Sequence, residues 1–297
     1  MIDINRFKMF TLCDNSVADL GFMGEWGFSV LLDFDGTKIL FDTGTGLSVV
    51  HNAEMFDIDL STIDKIVLSH GHKDHVAGLL PVLKKIRSRE PKKEIEIISH
   101  PALFDTKHFQ RSADEKPFYQ GVPFTIEEIE SLGGRFLFSE EPIWLSGDVA
   151  TSGEITMVNE YEVVDRGCLL KRETGFIKDP LNDDLALFLK TTLGLVIMVG
   201  CAHRGLINTI YHAKNVTGMD VVYMVVGGTH LAHAPEVQML STIAGLKKLG
   251  VKKLGASHCT GVTSGCRLAS ELQGVFFYNN AGSAITFSEN QMNIKAF

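Results

Sequence analysis

Hydrophobic positions along this chain follow two periods, and the change between them marks out its elements. Residues 28–34 and 37–42 are apolar runs separated by Asp35-Gly36, a pair that tolerates the backbone of a tight hairpin. Residues 63–69 form a short apolar run, as expected of a buried strand. From 76 to 87 the period becomes helical, with a basic last turn that suits the helix dipole; Pro81 should lie in the first turns or kink the helix. Residues 94–99 read as a strand. The stretch 100–182 is less regular. Residues 125–132 predict a short helix, capped by Thr125 with Glu128 three residues later and ended by Gly133-Gly134. Residues 159–184 are polar and turn-rich and read as a loop beside a site. Strands are then predicted at 185–190, 193–199, 221–226 and 251–257, and helices at 205–215, 235–249 and 264–272. Strands alternating with helices in both halves predict two α/β layers in one domain over 1–297, with a helical and loop insertion around 100–182.

Composition narrows the class. The 297 residues are 45% hydrophobic and 22% charged, which excludes a disordered, collagenous or coiled-coil chain. Lys and Arg number 28 against 36 Asp and Glu, a net charge of −8 that argues against a nucleic-acid or anionic-membrane partner. The longest apolar stretch, 193–202, falls far short of the ~18 residues of a membrane span. The N-terminus is charged from Asp3 and has no signal-peptide core. Five cysteines without a CxxC pair point to a reducing compartment, and the expected location is cytoplasmic.

The strongest chemical feature is Ser69-His70-Gly71-His72-Lys73-Asp74-His75, directly after an apolar strand. His70 and His72, two apart in extended chain, project to one side and can pinch a metal ion. Asp74 and His75 follow at the turn into a helix, offset toward a second ion. Imidazole suits Zn, Fe, Ni or Cu, and the carboxylate adds a hard anionic ligand. Two ions a few ångströms apart can lower the pKa of a shared water and polarise the oxygen under attack. Three further histidines follow apolar strands in the C-terminal half: His203 in Gly200-Cys201-Ala202-His203, His230 in Gly227-Gly228-Thr229-His230, and His258 in Ser257-His258-Cys259. His51, His100, His108, His212 and His233 lack such a setting and read as surface or structural, His233 being the first candidate for an exception.

His-x-His-x-Asp-His after a short strand resembles the metal motif of the metallo-β-lactamase superfamily. Phe41-Asp42-Thr43-Gly44, about 30 residues upstream, is similar to that family's strand-end Asp turn, whose carboxylate supports the ligands from behind. The resemblance implies an αβ/βα sandwich, two mixed sheets flanked by helices, with the site at one edge. It also implies two divalent ions, Zn with Mn or Fe as alternatives, held by His70, His72, Asp74, His75, His203 and His258. The usual bridging Asp of a Gly-Asp pair is missing. Either Cys201 takes its place, or the bridge is absent, or Asp183 or Asp184 enters the site. Asp74 and His230 are the candidates for proton transfer or substrate contact. The motifs around His203, His230 and His258, with Glu25-Trp26-Gly27-Phe28-Ser29, resemble the branch labelled by the dihydropterin–ribofuranosylaminobenzene-phosphate synthase of methanopterin biosynthesis. The diiron flavoproteins of the superfamily carry Glu where this chain has His72, so oxidoreductase chemistry is disfavoured.

The expected function is therefore a metal-dependent hydrolase, with a metal-bound hydroxide attacking a phosphoester, ester or lactone-type bond of a small, anionic substrate. The alternatives are a pterin-related synthase displacing diphosphate, with Phe104, Phe109, Phe118, Tyr119 or Phe124 stacking on the pterin, and a non-catalytic metal-binding module.

Overall fold

A computed structural model describes residues 1–296. Its core is two facing sheets. One has eight strands, in the order Gln291–Ala296, Ser283–Ser288, Lys8–Cys13, Ser29–Phe34, Thr37–Phe41, Lys65–Val67, Ile95–Ser99 and Gly134–Phe138. The other has seven, in the order Phe276–Tyr278, Lys253–Ser257, Val222–Gly228, Gly194–Val199, Ala186–Thr191, Val149–Thr151 and Trp144–Ser146. Each sheet pairs antiparallel hairpins on one side with parallel strands on the other. This is the mixed α/β sandwich that the alternation of elements implied.

The period of two decides where each side chain goes. Val30 and Leu32 face inward, meeting Leu187, Leu189, Met198 and Val226 of the opposite sheet. Their neighbour Leu31 points outward, with Leu40, Ile66 and Ile97, onto the helices Ser48–Met55 and Leu79–Arg89. On the far side, Phe188, Ile197 and Val225 pack beneath Leu206–Thr217 and Glu236–Leu249. Strands buried on both faces explain why 193–199 and 221–226 read as continuous apolar runs.

Local signals were followed closely. Asp35 and Gly36 both adopt positive φ, at 49° and 82°. Thr125 and Glu128 form a reciprocal capping box. Pro81 sits in the first turn of Leu79–Arg89. One expectation is incomplete: 100–182 holds strands besides the helix and loops expected there. It holds one six-residue helix, Ile126–Ser131, a 3-10 turn at Pro101–Phe104, and irregular stretches such as 152–167, but also seven short strands. Three of these belong to the main sheets. The others, Gly175–Lys178, Cys168–Arg172, Lys107–Phe109 and Phe118–Tyr119, form a small sheet of their own. The supposed loop 159–184 thus contains a hairpin.

Parallel strands send their C-terminal ends to one edge of the sandwich. Asp42 follows Thr37–Phe41, His70 follows Lys65–Val67, Cys201 and His203 follow Gly194–Val199, His230 follows Val222–Gly228, and His258 follows Lys253–Ser257.

Candidate metal centre

Seven of the residues singled out from sequence meet at that edge. His70 Nε2 lies 3.0 Å from His72 Nδ1 and 3.2 Å from His203 Nε2. Beside them, His75 Nε2 lies 3.2 Å from His258 Nε2, which is 3.3 Å from Asp74 Oδ2. The ligand atoms of His70, His72 and His203 lie within 4.8 Å of one another, as do those of Asp74, His75 and His258. Tetrahedral bonds of ~2.0–2.1 Å place neighbouring ligand nitrogens ~3.3 Å apart, close to this spacing.

The bonds behind the rings explain why nitrogens can face one another. Asp42 accepts from Ser69 N, from Ser69 Oγ and from His75 Nδ1, each at 2.7 Å. With its hydroxyl proton committed to Asp42, Ser69 Oγ takes the Nδ1 proton of His70 at 2.8 Å. His258 Nδ1 donates to Asn15 Oδ1 at 2.9 Å. In all three rings Nε2 is therefore the atom left pointing inward, where a cation could replace any proton it carries. Burial and neighbouring histidines push the His70 and His203 pKa values well down, and burial takes His72 to about 3, so these rings are neutral donors. Burial also disfavours charge on His75, but the Asp42 carboxylate outweighs it and raises the pKa to about 9. The field that favours a proton at Nε2 equally favours a cation there. Buried polar atoms without a hydrogen-bond partner include Asp74 Oδ1, His72 Nε2 and His203 Nδ1. A set of inward ring nitrogens with an unpaired carboxylate oxygen fits a pair of divalent ions.

Cys201, one of the alternatives left by the sequence, lies at the clusters. Its Sγ is 3.1 Å from His75 Nε2 and groups with both His70 and His75. It thus stands between the two clusters, within reach of both. Burial pushes its thiol pKa up, and a cation would be needed to hold it as thiolate. Asp183 and Asp184 do not meet the clusters. Asp183 accepts from Gly71 N at 2.7 Å and from Lys107 Nζ at 2.8 Å; Lys107 Nζ also reaches Asp179 at 3.0 Å. This buried salt-bridge triad clamps the peptide between His70 and His72. Asp184 accepts from Arg204 N at 2.8 Å, and burial raises its pKa to about 7.

His230 groups with the thiols of Cys201 and Cys259; the Cys259 Sγ accepts from His230 N at 3.2 Å, and the His230 ring centroid lies 4.3 Å from that of His203. Its Nε2 donates to Asp165 at 3.4 Å. Burial alone would lower its pKa, but the hydrogen bond to Asp165 prevails and raises it to about 10. Backbone strain is concentrated here: Asp42, Ala202, His230 and His258 are four of the nine non-glycine residues with positive φ among the described residues. Each costs ~1–3 kcal/mol, which the surrounding bonds must offset. Gly200 is needed for close approach, since a Cβ there would strike Ser69 Oγ and come within 3.0 Å of Asp42 Oδ2.

The remaining histidines have other tasks. His51 and His212 bond to carbonyls of Gly21 and Ser152, His100 caps the turn Pro101–Phe104, and His233 is exposed. Sequence reasoning missed Asn15, Asp165, Lys107 and Cys259. Only Asp14-Asn15-Ser16, a polar cluster ending the apolar run 9–13, offered a signal.

This chain belongs to the metallo-beta-lactamase superfamily, whose family model it matches over residues 27–185. It is 33% identical over 296 residues to the 7,8-dihydropterin-6-methyl-4-(beta-D-ribofuranosyl)-aminobenzene-5'-phosphate synthase of Methanocaldococcus jannaschii, covering 96% of this chain and 98% of the relative. A shorter match, 31% identity over 108 residues, is to ribonuclease Z of Clostridioides difficile, covering 36% and 33% of the two chains. Among solved structures, Tm1679, a metal-dependent hydrolase of the beta-lactamase superfamily, superposes with a TM-score of 0.79 at 26% identity, covering 95% of this chain and 100% of that one. A diphosphatase of the PhnP family shares the fold at a TM-score of 0.53 and 14% identity, covering 95% and 98%. No helix of the described residues is long and apolar enough to cross a membrane.

Proposed function

We propose that this chain is a metal-dependent hydrolase of a small anionic ester, a phosphoester or diphosphate in the first instance. The observation that carries the reading is the pair of ligand clusters joined at Cys201. His70, His72 and His203 would hold one divalent ion, and Asp74, His75 and His258 the other. Zn suits the imidazole and thiolate donors, with Mn or Fe as alternatives. When bound, the ions supply Lewis acidity and an activated water.

The chain's own groups supply the rest. Asp74 Oδ1, buried and unpaired, can accept a hydrogen bond from the attacking water, orient it and relay its proton outward as the new oxygen bond forms. His230, kept protonated by Asp165 and part-exposed at the rim, can donate a proton to the leaving oxygen as the ester bond breaks. Water is consumed, an acid is released with an alcohol from an ester or a second phosphate from a diphosphate, and the proton relayed from the water replaces the one His230 gives up.

A second reading is a pterin-related synthase that displaces diphosphate, supported by the 33% identity to the methanogen enzyme over nearly the whole chain. The two separate on one experiment. Metal content is measured by elemental analysis on protein purified without added metal, beside His70→Ala and Cys201→Ala. The metal-loaded protein is then offered phosphoesters, diphosphates and carboxylic esters, with and without an arylamine acceptor. About two ions per chain and turnover without acceptor support the hydrolase. Turnover only with acceptor supports the synthase. Absence of metal after reloading with Zn, Mn or Fe overturns both.

A further inference from the structure

Trp26 is 63% exposed, yet its indole meets the His258 imidazole edge-on at 5.4 Å. Single exposed apolar side chains are ordinary and need no explanation. This one differs because the chain on either side of it is fixed. The Glu25 carboxylate accepts from the amides of Gly46, Leu47 and Ser48 at 3.1, 2.9 and 3.2 Å, and from Ser48 Oγ at 2.9 Å. The Trp26 carbonyl accepts from Thr45 Oγ1. Gly27 N donates to Asn15 Oδ1 at 3.1 Å, the atom that also receives the His258 Nδ1 proton. A Cβ on Gly27 would lie 2.6 Å from the Asp74 carbonyl oxygen, so the loop lies directly on the peptide of a ligand-bearing residue.

The indole also begins a row. Ring contacts run from Trp26 to His258, His75, His70, His203 and His230 in turn. The row crosses both ligand clusters. At one end is a large π face open to solvent; at the other is the His230–Asp165 pair. A ligand whose anionic group sits over the clusters would have the indole within reach on one side.

We infer that Trp26 is a preorganised platform for a planar ring, and that the substrate class is an anionic ester carrying an aromatic or heteroaromatic group. This rests on the reading of the clusters as the reactive centre. A rigid π face beside a cation-rich site selects a flat, polarisable group over a puckered one of similar size.

Benzyl phosphate and cyclohexylmethyl phosphate test this, because their leaving alcohols have similar acidity and differ in planarity. In the wild type, kcat/KM for the benzyl ester should exceed that for the cyclohexylmethyl ester by about tenfold, mainly through KM. Trp26→Ala should remove that preference, leaving the cyclohexylmethyl ester within about twofold of wild type and metal content unchanged; Trp26→Phe should retain most of it. Binding is read separately. The chain has 2 Trp, so Trp144→Phe leaves Trp26 as the sole indole. Its fluorescence should be quenched saturably by 4-nitrobenzylphosphonate, while Trp26→Phe, retaining Trp144, should show no saturable quenching. Equal loss on both esters in Trp26→Ala, an unchanged preference, or no saturable quenching overturns the platform. If the metal-loaded wild type hydrolyses neither ester but the quenching saturates, the hydrolase reading fails and the platform stands.

Discussion

Two neighbouring strands, Lys65–Val67 and Ile95–Ser99, pair in parallel and each delivers histidine to the same edge. Past the first lie His70, His72 and the clusters described above. Past the second lies His100, whose Nε2 is 3.3 Å from Glu154, with Glu140 nearby; these three also bring ligand atoms within 4.8 Å of one another. The resemblance ends at the protons. His100 Nδ1 accepts from Ala102 N at 3.0 Å, so its proton sits on Nε2 and is directed at Glu154. In His70, His75 and His258 the Nδ1 side is committed behind the ring, and Nε2 is the atom turned toward the other ligand atoms. Ligand type and proximity are therefore shared by the two places, and the outer hydrogen bonds distinguish them. The comparison separates His100–Glu154, bonded as an ordinary structural pair, from the His70–His75 motif, the candidate metal centre.

The largest effect that could break this comparison is at the motif itself. His70 groups with His72 and His203 and also with His75 and Cys201. His70→Ala should lower metal content from about two ions to below one and reduce turnover by roughly a thousandfold or more. Retention of both ions, measured by elemental analysis, would falsify the shared role of His70.

Next in size is Lys107. Its ammonium is buried with Asp179 and Asp183, and removal would strand two buried carboxylates. Lys107→Met should cost about 3–5 kcal/mol in urea unfolding. In a double-mutant cycle with Asp183→Asn the coupling should reach about 1 kcal/mol or more. Additive effects would mean that the triad is not holding the His70–His72 peptide as a unit.

Asp42→Asn sharpens the comparison directly. The amide keeps the size of the carboxylate but loses one acceptor and its charge, so the commitment of the His75 and Ser69 protons is disturbed. Metal affinity should fall about 10–100-fold, read by competition with a chelator, while the folded far-ultraviolet spectrum is kept. Unchanged affinity would show that the protons behind the rings do not decide the matter.

How much of this was legible beforehand follows from the reach of each signal. His70, His72, Asp74 and His75 crowd into six residues after an apolar strand, and His203, His230 and His258 repeat one position, the end of a parallel strand. Such local patterns survive without knowledge of the fold. Lys107, Asp165 and Asn15 are single polar residues from distant segments, and their importance arises only when burial brings them together. The strands of 100–182 escaped for a related reason. They are two to five residues long, and the hairpin joining Cys168–Arg172 to Gly175–Lys178 turns through Glu173-Thr174, without Gly or Asn at its centre. His230 is the intermediate case: its strand-end position was visible, but its hydrogen-bond partner Asp165 was not.

The smallest expected effect tests the other side of the comparison. Glu154 accepts the His100 proton at 3.3 Å and also receives Asn182 Nδ2 at 3.3 Å, at a part-exposed position where water can replace a lost bond. Glu154→Gln should therefore change stability by no more than about 0.5 kcal/mol. More tellingly, it should leave metal content and turnover at the wild-type level. His100→Ala should cost somewhat more, ~0.5–2 kcal/mol, because the cap on Pro101–Phe104 is lost with the ring, again with no change in metal. Loss of an ion in either variant would mean that proton placement does not separate the two groups. The case for the His70–His75 motif would then rest on ligand density alone.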